Sequence, residues 1–418
     1  MAVIFVHSAN VPNDVPAPGR DRTPAAWTAF RWRGTLNAVL MPQASLAVSW
    51  TRYVGGAFSS SPTIAHGRLF VASNSGVVAA LDLATGALGW SHKFSGPIMT
   101  APLDWRGTVI VGEGDAHLID WQPGRYMAVG LGQNRLYGLD EATGEVTWSV
   151  GLAGSGMPTG IIENGIYYHD DGVGLLYAVD AYDGMYQWRR SLGSADAMSA
   201  IVRVSKTTLA VAGTSPNEVV AFSSVNGNVV WRHRFPDDVG GLGDCPLATN
   251  GKYLFGDYLV PVRAGQVQVR AGVRAVQHVF ALDARDGHLV WDRSTGTGIT
   301  PPRNESSIPV VDGQSLYVGS AIQPYMLAVD VQSGRTLWHT HTDGVVKGAS
   351  VIVGGRQYFG DGHGMLWALN ASTGKILGHL HIEDVFNVGS PVVFGHTLFI
   401  GGTSGAIYAR PLSMILSS

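Results

Sequence analysis

The sequence predicts an all-β fold, an eight-bladed β-propeller closed by an N-terminal strand, and three observations predict it. A unit of the form apolar-Tyr-Ala-apolar-Asp-x-x-Thr-Gly-x-x-x-Trp, most legible from Leu176 to Trp188, recurs along the chain. Its Asp position falls at Asp82, Asp140, Asp180, Ser223, Asp283, Asp330, Asn370 and Pro411, at intervals of 40 to 60 residues, a length that holds four short strands. Four residues after seven of these positions stands glycine, and eight residues after six of them stands tryptophan.

Each part of the unit has a physical reason. The glycines, Gly86, Gly144, Gly184, Gly227, Gly287, Gly334 and Gly374, follow Thr, Ser, Asn or Asp, the chemistry of a tight hairpin whose last residue takes positive φ. The indoles, Trp90, Trp148, Trp188, Trp231, Trp291 and Trp338, offer large flat surfaces to bury between neighbouring blades, each with an N–H that needs a partner. Gly378 interrupts that series.

Closure follows from the ends. The last repeat stops at Ile407-Tyr408-Ala409 without a fourth strand, and Leu46 to Trp50 reads as a fourth strand without the other three. Pairing them removes two exposed edges and sets the count at eight. The chain therefore divides into a proline-rich arm, residues 1–45, outside the ring, and a propeller, residues 46–418.

Composition narrows the function classes. Among 418 residues only 14% are charged and 45% are hydrophobic, as expected of a well-buried, turn-rich chain with 55 glycines. The formal net charge of −3 gives no field that would recruit nucleic acid or an acidic membrane. In acid the balance changes: 28 Lys and Arg with 14 His give up to 42 positive charges while carboxylates titrate away, a surface suited to a small anionic substrate. No apolar run is long enough to span a membrane, and Ala2 to Val6 is too short for a signal-peptide core, which reads as a mature chain. The single cysteine, Cys245, excludes an internal disulfide, and its alternation relative to Asp244 points it into the sheet as an inert thiol.

Chemistry is expected where loops enter the innermost strands. Aligning those strands on their proline, the residue two positions earlier is Ser60, Thr100, Gly156, Asp244, Ser307 or Gly389, with Met198 and Gly348 in the blades that lack the proline. Asp244 alone carries charge, which makes it the candidate general base or water-orienting group. Arg303, Asn304 and Glu305 in the longest loop of this class, Lys347 before another inner strand, and Arg234 are the candidate substrate-binding residues; His169 is a weaker candidate of the same kind. His363, in a tight glycine loop, reads as structural. The two longest intervals insert about eighteen residues near Glu113–Gln133 and Asp257–Gln277, on the same face, as lids or as a contact with a second copy. No linear metal-ligand spacing occurs, and the glycine clusters lack the following helix of a phosphate cradle, so neither a metal nor another cofactor is expected.

The repeat resembles that of the quinoprotein alcohol dehydrogenase-like, or PQQ-repeat, propellers, from Leu46 to Pro411. That resemblance implies the fold; it implies little about activity, because the scaffold carries dehydrogenases, a lipoprotein of outer-membrane barrel assembly, and hydrolases. Dehydrogenases of this kind carry a vicinal disulfide beside the quinone, which one cysteine cannot form. The barrel-assembly lipoproteins, non-catalytic scaffolds, carry a lipidated N-terminal cysteine absent from this sequence. The chain as a whole, including the arm from Arg20-Asp21-Arg22-Thr23-Pro24 to Trp32-Arg33, is similar to the tetrathionate hydrolases of acidophilic sulfur oxidisers. That similarity implies a periplasmic, outer-membrane-associated or extracellular enzyme that needs no quinone and cleaves tetrathionate to thiosulfate, sulfur and sulfate in acid, with Asp244 activating water.

Overall fold

The computed structural model describes residues 39–40, 46–115, 117–122, 125–194, 199–214, 216–237, 239–242, 246–262, 272–301 and 306–416. Eight antiparallel blades of four strands follow one another around a ring, and the sheet of one of them, blade 7, carries a fifth strand that runs parallel. In chain order, blades 1 to 7 occupy residues 63–93, 103–151, 161–191, 202–234, 248–299, 310–341 and 351–381, and blade 8 joins residues 392–411 to the N-terminal strand Trp50–Tyr53. First strands of successive blades touch one another, so they form the inner wall. Hydrogen bonds tie that wall from blade to blade, among them Ala101 N to Thr159 Oγ1 at 3.0 Å and Ala349 N to Ser390 Oγ at 2.9 Å.

The tryptophans form the seams. The indole N–H of Trp90 donates to Glu141 O at 2.8 Å, that of Trp291 to Val331 O at 2.9 Å and that of Trp338 to Ala371 O at 2.9 Å, each across to the residue after the next blade's Asp position. Each ring lies on the next blade's turn glycine: a Cβ on Gly144, already at φ +74°, would come 2.4 Å from Trp90 Cε3. The turn is therefore glycine for two reasons, positive φ and the indole stacked on it. Trp148 departs from the rule. Its Nε1 is buried without a hydrogen-bond partner, and it packs over Gly138, where the repeat otherwise has alanine; a Cβ there would lie 2.2 Å from Trp148 Nε1.

Closure occurs as expected, with the strand shifted. Trp50 opens the closing strand instead of ending it: Trp50–Tyr53 pairs antiparallel with Ala406–Pro411, Trp50 opposite Ala409. The indole fixes this register, because only there does Trp50 reach Leu83 O at 3.3 Å and cover Gly86. Leu46 and Val48 run beneath blade 8, where Leu46 O accepts from His396 N and Val48 N donates to Thr397 Oγ1. Of residues 1–45, expected to form an arm outside the ring, only 39–40 lie among the described residues. Val39–Leu40 pairs parallel with Val351–Val353, the inner strand of blade 7, so this piece sits inside the wall.

Both insertions carry strand structure. One forms a hairpin of Leu118–Gln122 with Arg125–Ala128. The other lengthens blade 5 itself, whose outer strands run Tyr253–Pro261, Arg274–Asp283 and Leu289–Ile299. No helix among the described residues is long and apolar enough to cross a membrane.

Candidate functional site at the mouth of blades 5 to 7

Toward the mouth face the second strand of each blade carries a residue at one fixed register, and in blades 2, 6, 7 and 8 its Cβ direction meets the segment leading into the next blade. Four residues before the Asp position, the third strand pairs this residue; in register it is Ala72, Gly112, Asp170, Ala212, Asp257, Gly319, Gly360 or Gly401. The space is small, since a Cβ on Gly319 would lie 2.3 Å from Val346 O. Two blades nevertheless place a carboxylate there, Asp170 and Asp257, both fully buried. A buried carboxylate must be compensated.

Asp257 is compensated by a network between blades 5 and 6. Its Oδ2 accepts from Gln277 Nε2 at 2.7 Å and from Ser307 N at 3.1 Å, and Ser307 Oγ lies 2.9 Å away. Gln277 Nε2 also donates to Gly319 O at 3.1 Å, and Tyr325 Oη donates to Gln277 Oε1 at 2.9 Å. Burial raises the Tyr325 phenol above its ordinary value and the Asp257 charge adds to this, so Tyr325 remains a donor. The lengthened strand of blade 5 is what delivers Gln277 to this network.

Of the residues singled out in the sequence, Asp244, Cys245, Arg303, Asn304 and Glu305 lie outside the described residues. The chain directly after them is the network: Ser307 follows the 303–305 loop by two residues, and Asp244 precedes the inner strand of blade 5. Lys347 is buried at the same mouth, and its carbonyl accepts from Ile308 N at 3.1 Å, which brings it beside Ser307. Arg234 is elsewhere, at the end of the outermost strand of blade 4, where its exposed guanidinium pairs with Asp237 at 2.9 Å.

His169 is fully buried within blade 3, its Nδ1 3.4 Å from Tyr167 Oη and its Nε2 without a hydrogen-bond partner. Burial depresses its pKa to about 3, which keeps the ring neutral and unsuited to holding an anion through charge. His363 lies exposed in the loop that Asp361 orders by accepting from the backbone of residues 363 and 365. The sequence reading missed Asp257 and Gln277. The signal is in the register of the second strands, where Asp257 and Asp170 are the two acids among glycines and alanines.

A family model described as outer membrane protein assembly factor BamB matches residues 32–122, 120–241 and 258–413. The chain belongs to this family of PQQ-like repeat propellers. Within the curated relatives it is 25% identical over 388 residues to tetrathionate hydrolase of Acidithiobacillus ferrooxidans, covering 89% of this chain and 76% of that protein. It is 26% identical over 385 residues to tetrathionate hydrolase of Acidianus ambivalens, with 84% and 70% covered. The BamB of Yersinia pestis is 24% identical over 346 residues, with 82% and 81% covered. Among solved structures, BamB of Moraxella catarrhalis superposes with a TM-score of 0.63 at 17% identity, covering 86% of this chain and 98% of that one. Quinohemoprotein alcohol dehydrogenase of Comamonas testosteroni gives 0.64 at 14% identity, with 92% and 80% covered. These likenesses establish the PQQ-repeat propeller fold.

Proposed function

We propose that this PQQ-repeat propeller is a hydrolase of tetrathionate, working in acid in the periplasm, at the outer membrane or outside the cell, with its site at the mouth of blades 5 to 7. The observation that carries the reading is the placing of a buried lysine, Lys347, next to the Asp257–Ser307–Gln277 network in a chain that aligns over most of its length with two tetrathionate hydrolases. Cationic groups hold sulfonates through charge-assisted hydrogen bonds, and Lys347 with Arg303 supplies two of them for the two ends of a dianion. Asp244 takes the proton of water as its oxygen attacks a terminal sulfonate sulfur. The S–S bond then breaks toward the departing trisulfur fragment; sulfate leaves, and loss of one sulfur atom from the fragment gives thiosulfate. Asp257 orients Ser307 and Gln277 at the edge of that site.

The turns support work in acid. Asp82, Asp140 and Asp330 are each held below the usual carboxylate range by hydrogen bonds from Thr85, Thr143 and Ser333, so these turn contacts persist as the pH falls. Incubation with tetrathionate at pH 3 and at pH 7, following thiosulfate, tests the proposal. Turnover at pH 3 supports it. No turnover at either pH favours the second reading, a binding scaffold like BamB, which the BamB relatives support.

A further inference from the structure

Asp104 is an acid in an inner-strand register that is aliphatic in five of the eight blades. On the inner strand of blade 2 it pairs with Val109 of the second strand, where blades 1, 3, 6, 7 and 8 have Ile64, Ile162, Val311, Ile352 and Val393 and blades 4 and 5 have Arg203 and Thr249. It is 5% exposed, and its Oδ1 has no hydrogen-bond partner. A carboxylate so placed costs stability unless something answers its charge. What faces it adds to the cost: Glu141, a second acid, stands beside it and pushes the Asp104 pKa further up, while His66 acts in the opposite sense.

These three residues come from three separate turns and strands on the Thr-Gly face, opposite the mouth. His66 is the first residue of the tight turn between the first two strands of blade 1, at φ +48°. Glu141 follows the Asp position of blade 2, and its carbonyl is fixed by the Trp90 indole, the seam between the two blades. One ligand atom from each lies within 4.8 Å of the others, and His66 Nδ1 is already 2.9 Å from Glu141 Oε2. In a tetrahedral zinc site ligand atoms stand about 3.4 Å apart, so small side-chain rotations suffice. An imidazole and two carboxylates suit a divalent transition metal, and His66, on the surface, leaves a path for the ion and open positions for water.

We propose that His66, Asp104 and Glu141 bind one divalent transition-metal cation, of which zinc is the representative, clipping blade 1 to blade 2. The cation replaces the His66–Glu141 hydrogen bond, takes the orphan Asp104 oxygen and cancels the repulsion between the two carboxylates. Linear spacing could not show it, because residues 66, 104 and 141 meet only when adjacent blades pack.

Isothermal titration of the full chain with zinc at neutral pH tests this, with cobalt absorption as a second readout and three variants beside the wild type. The expected result is one zinc per chain, a raised melting temperature, and affinity lower by about tenfold or more in Asp104→Asn and His66→Ala. His66 is exposed, so its variant reports on binding without endangering the fold. Asp286→Asn alters the other three-residue cluster, Asp283, Asp286 and His288, and should leave this binding unchanged. Absence of zinc binding to the wild type, wild-type affinity in both Asp104→Asn and His66→Ala, or loss of binding in Asp286→Asn would each overturn the proposal.

Discussion

Gly378 and Ile415 exchange the roles that a tryptophan and a glycine hold at every other seam: a Cβ on Gly378 would lie 2.1 Å from Ile415 O. The C-terminal helix Leu412–Leu416 fills the space an indole takes elsewhere, with Ile415 fully buried in the core of blades 1, 7 and 8. The gap in the tryptophan series is thus the seat of the helix. Gly378→Ala is expected to cost about 1–3 kcal/mol by overpacking. Gly378→Trp, although it restores the repeat, is expected to cost more, with both effects read from urea midpoints.

The seam hydrogen bonds are separable from seam packing. Trp291 donates its N–H across the seam and Trp148 does not. Replacement of each by Phe removes similar apolar area, but Trp291→Phe also strands Val331 O. The loss on Trp291→Phe should exceed that on Trp148→Phe by about 1 kcal/mol in equilibrium unfolding. Equal losses would deny the indole N–H a net contribution.

His169 ties stability to pH. Its folded pKa, about 3, is below the ordinary 6.5, so the unfolded chain binds a proton first as the pH falls. The folded state therefore loses stability between about pH 6.5 and pH 3, and the part lost by pH 4 is about 3 kcal/mol. Val71, Val111, Val211 and Val318 occupy the same register in other blades, which makes His169→Val the conservative change. Urea denaturation at pH 7 and pH 4 should show that loss shrinking by about this amount in the variant.

Substrate contacts at the mouth are tested by KM. Lys347→Met and Arg303→Ala should each raise KM for tetrathionate by about tenfold or more, the loss of one charge-assisted contact to a sulfonate. Arg234→Ala, on the outer strand of blade 4 and paired with Asp237, should change it little. Unchanged KM in both mouth variants would move the site elsewhere.

The ring was legible because one unit repeats, so each local signal was read several times over: the turn glycine, the seam indole, the capping Asp. What escaped were the departures that depend on which blades touch. Trp50 was placed at the wrong end of its strand because the alternation of Leu46, Val48 and Trp50 looks the same whether the segment lies in the sheet or beneath it. Only the distance from the indole to Leu83 O decides. Asp257 and Asp104 read as ordinary acids in strands; register shows Asp257, like Asp170, in a place that is glycine or alanine in the other six blades, and Asp104 in one that is aliphatic in five. Gln277 reaches Asp257 because the blade 5 insertion continues its strands, a continuation that length alone does not disclose.

The central claim, tetrathionate hydrolysis at the mouth of blades 5 to 7, is tested most directly by the initial rate of sulfate release from tetrathionate at pH 3. Wild type and Asp244→Asn are compared at matched circular dichroism. One sulfate released per tetrathionate consumed by the wild type, and a rate lower by about 100-fold or more in the variant, is the predicted result. Sulfate release at the wild-type rate by Asp244→Asn, or none from the wild type, would contradict it.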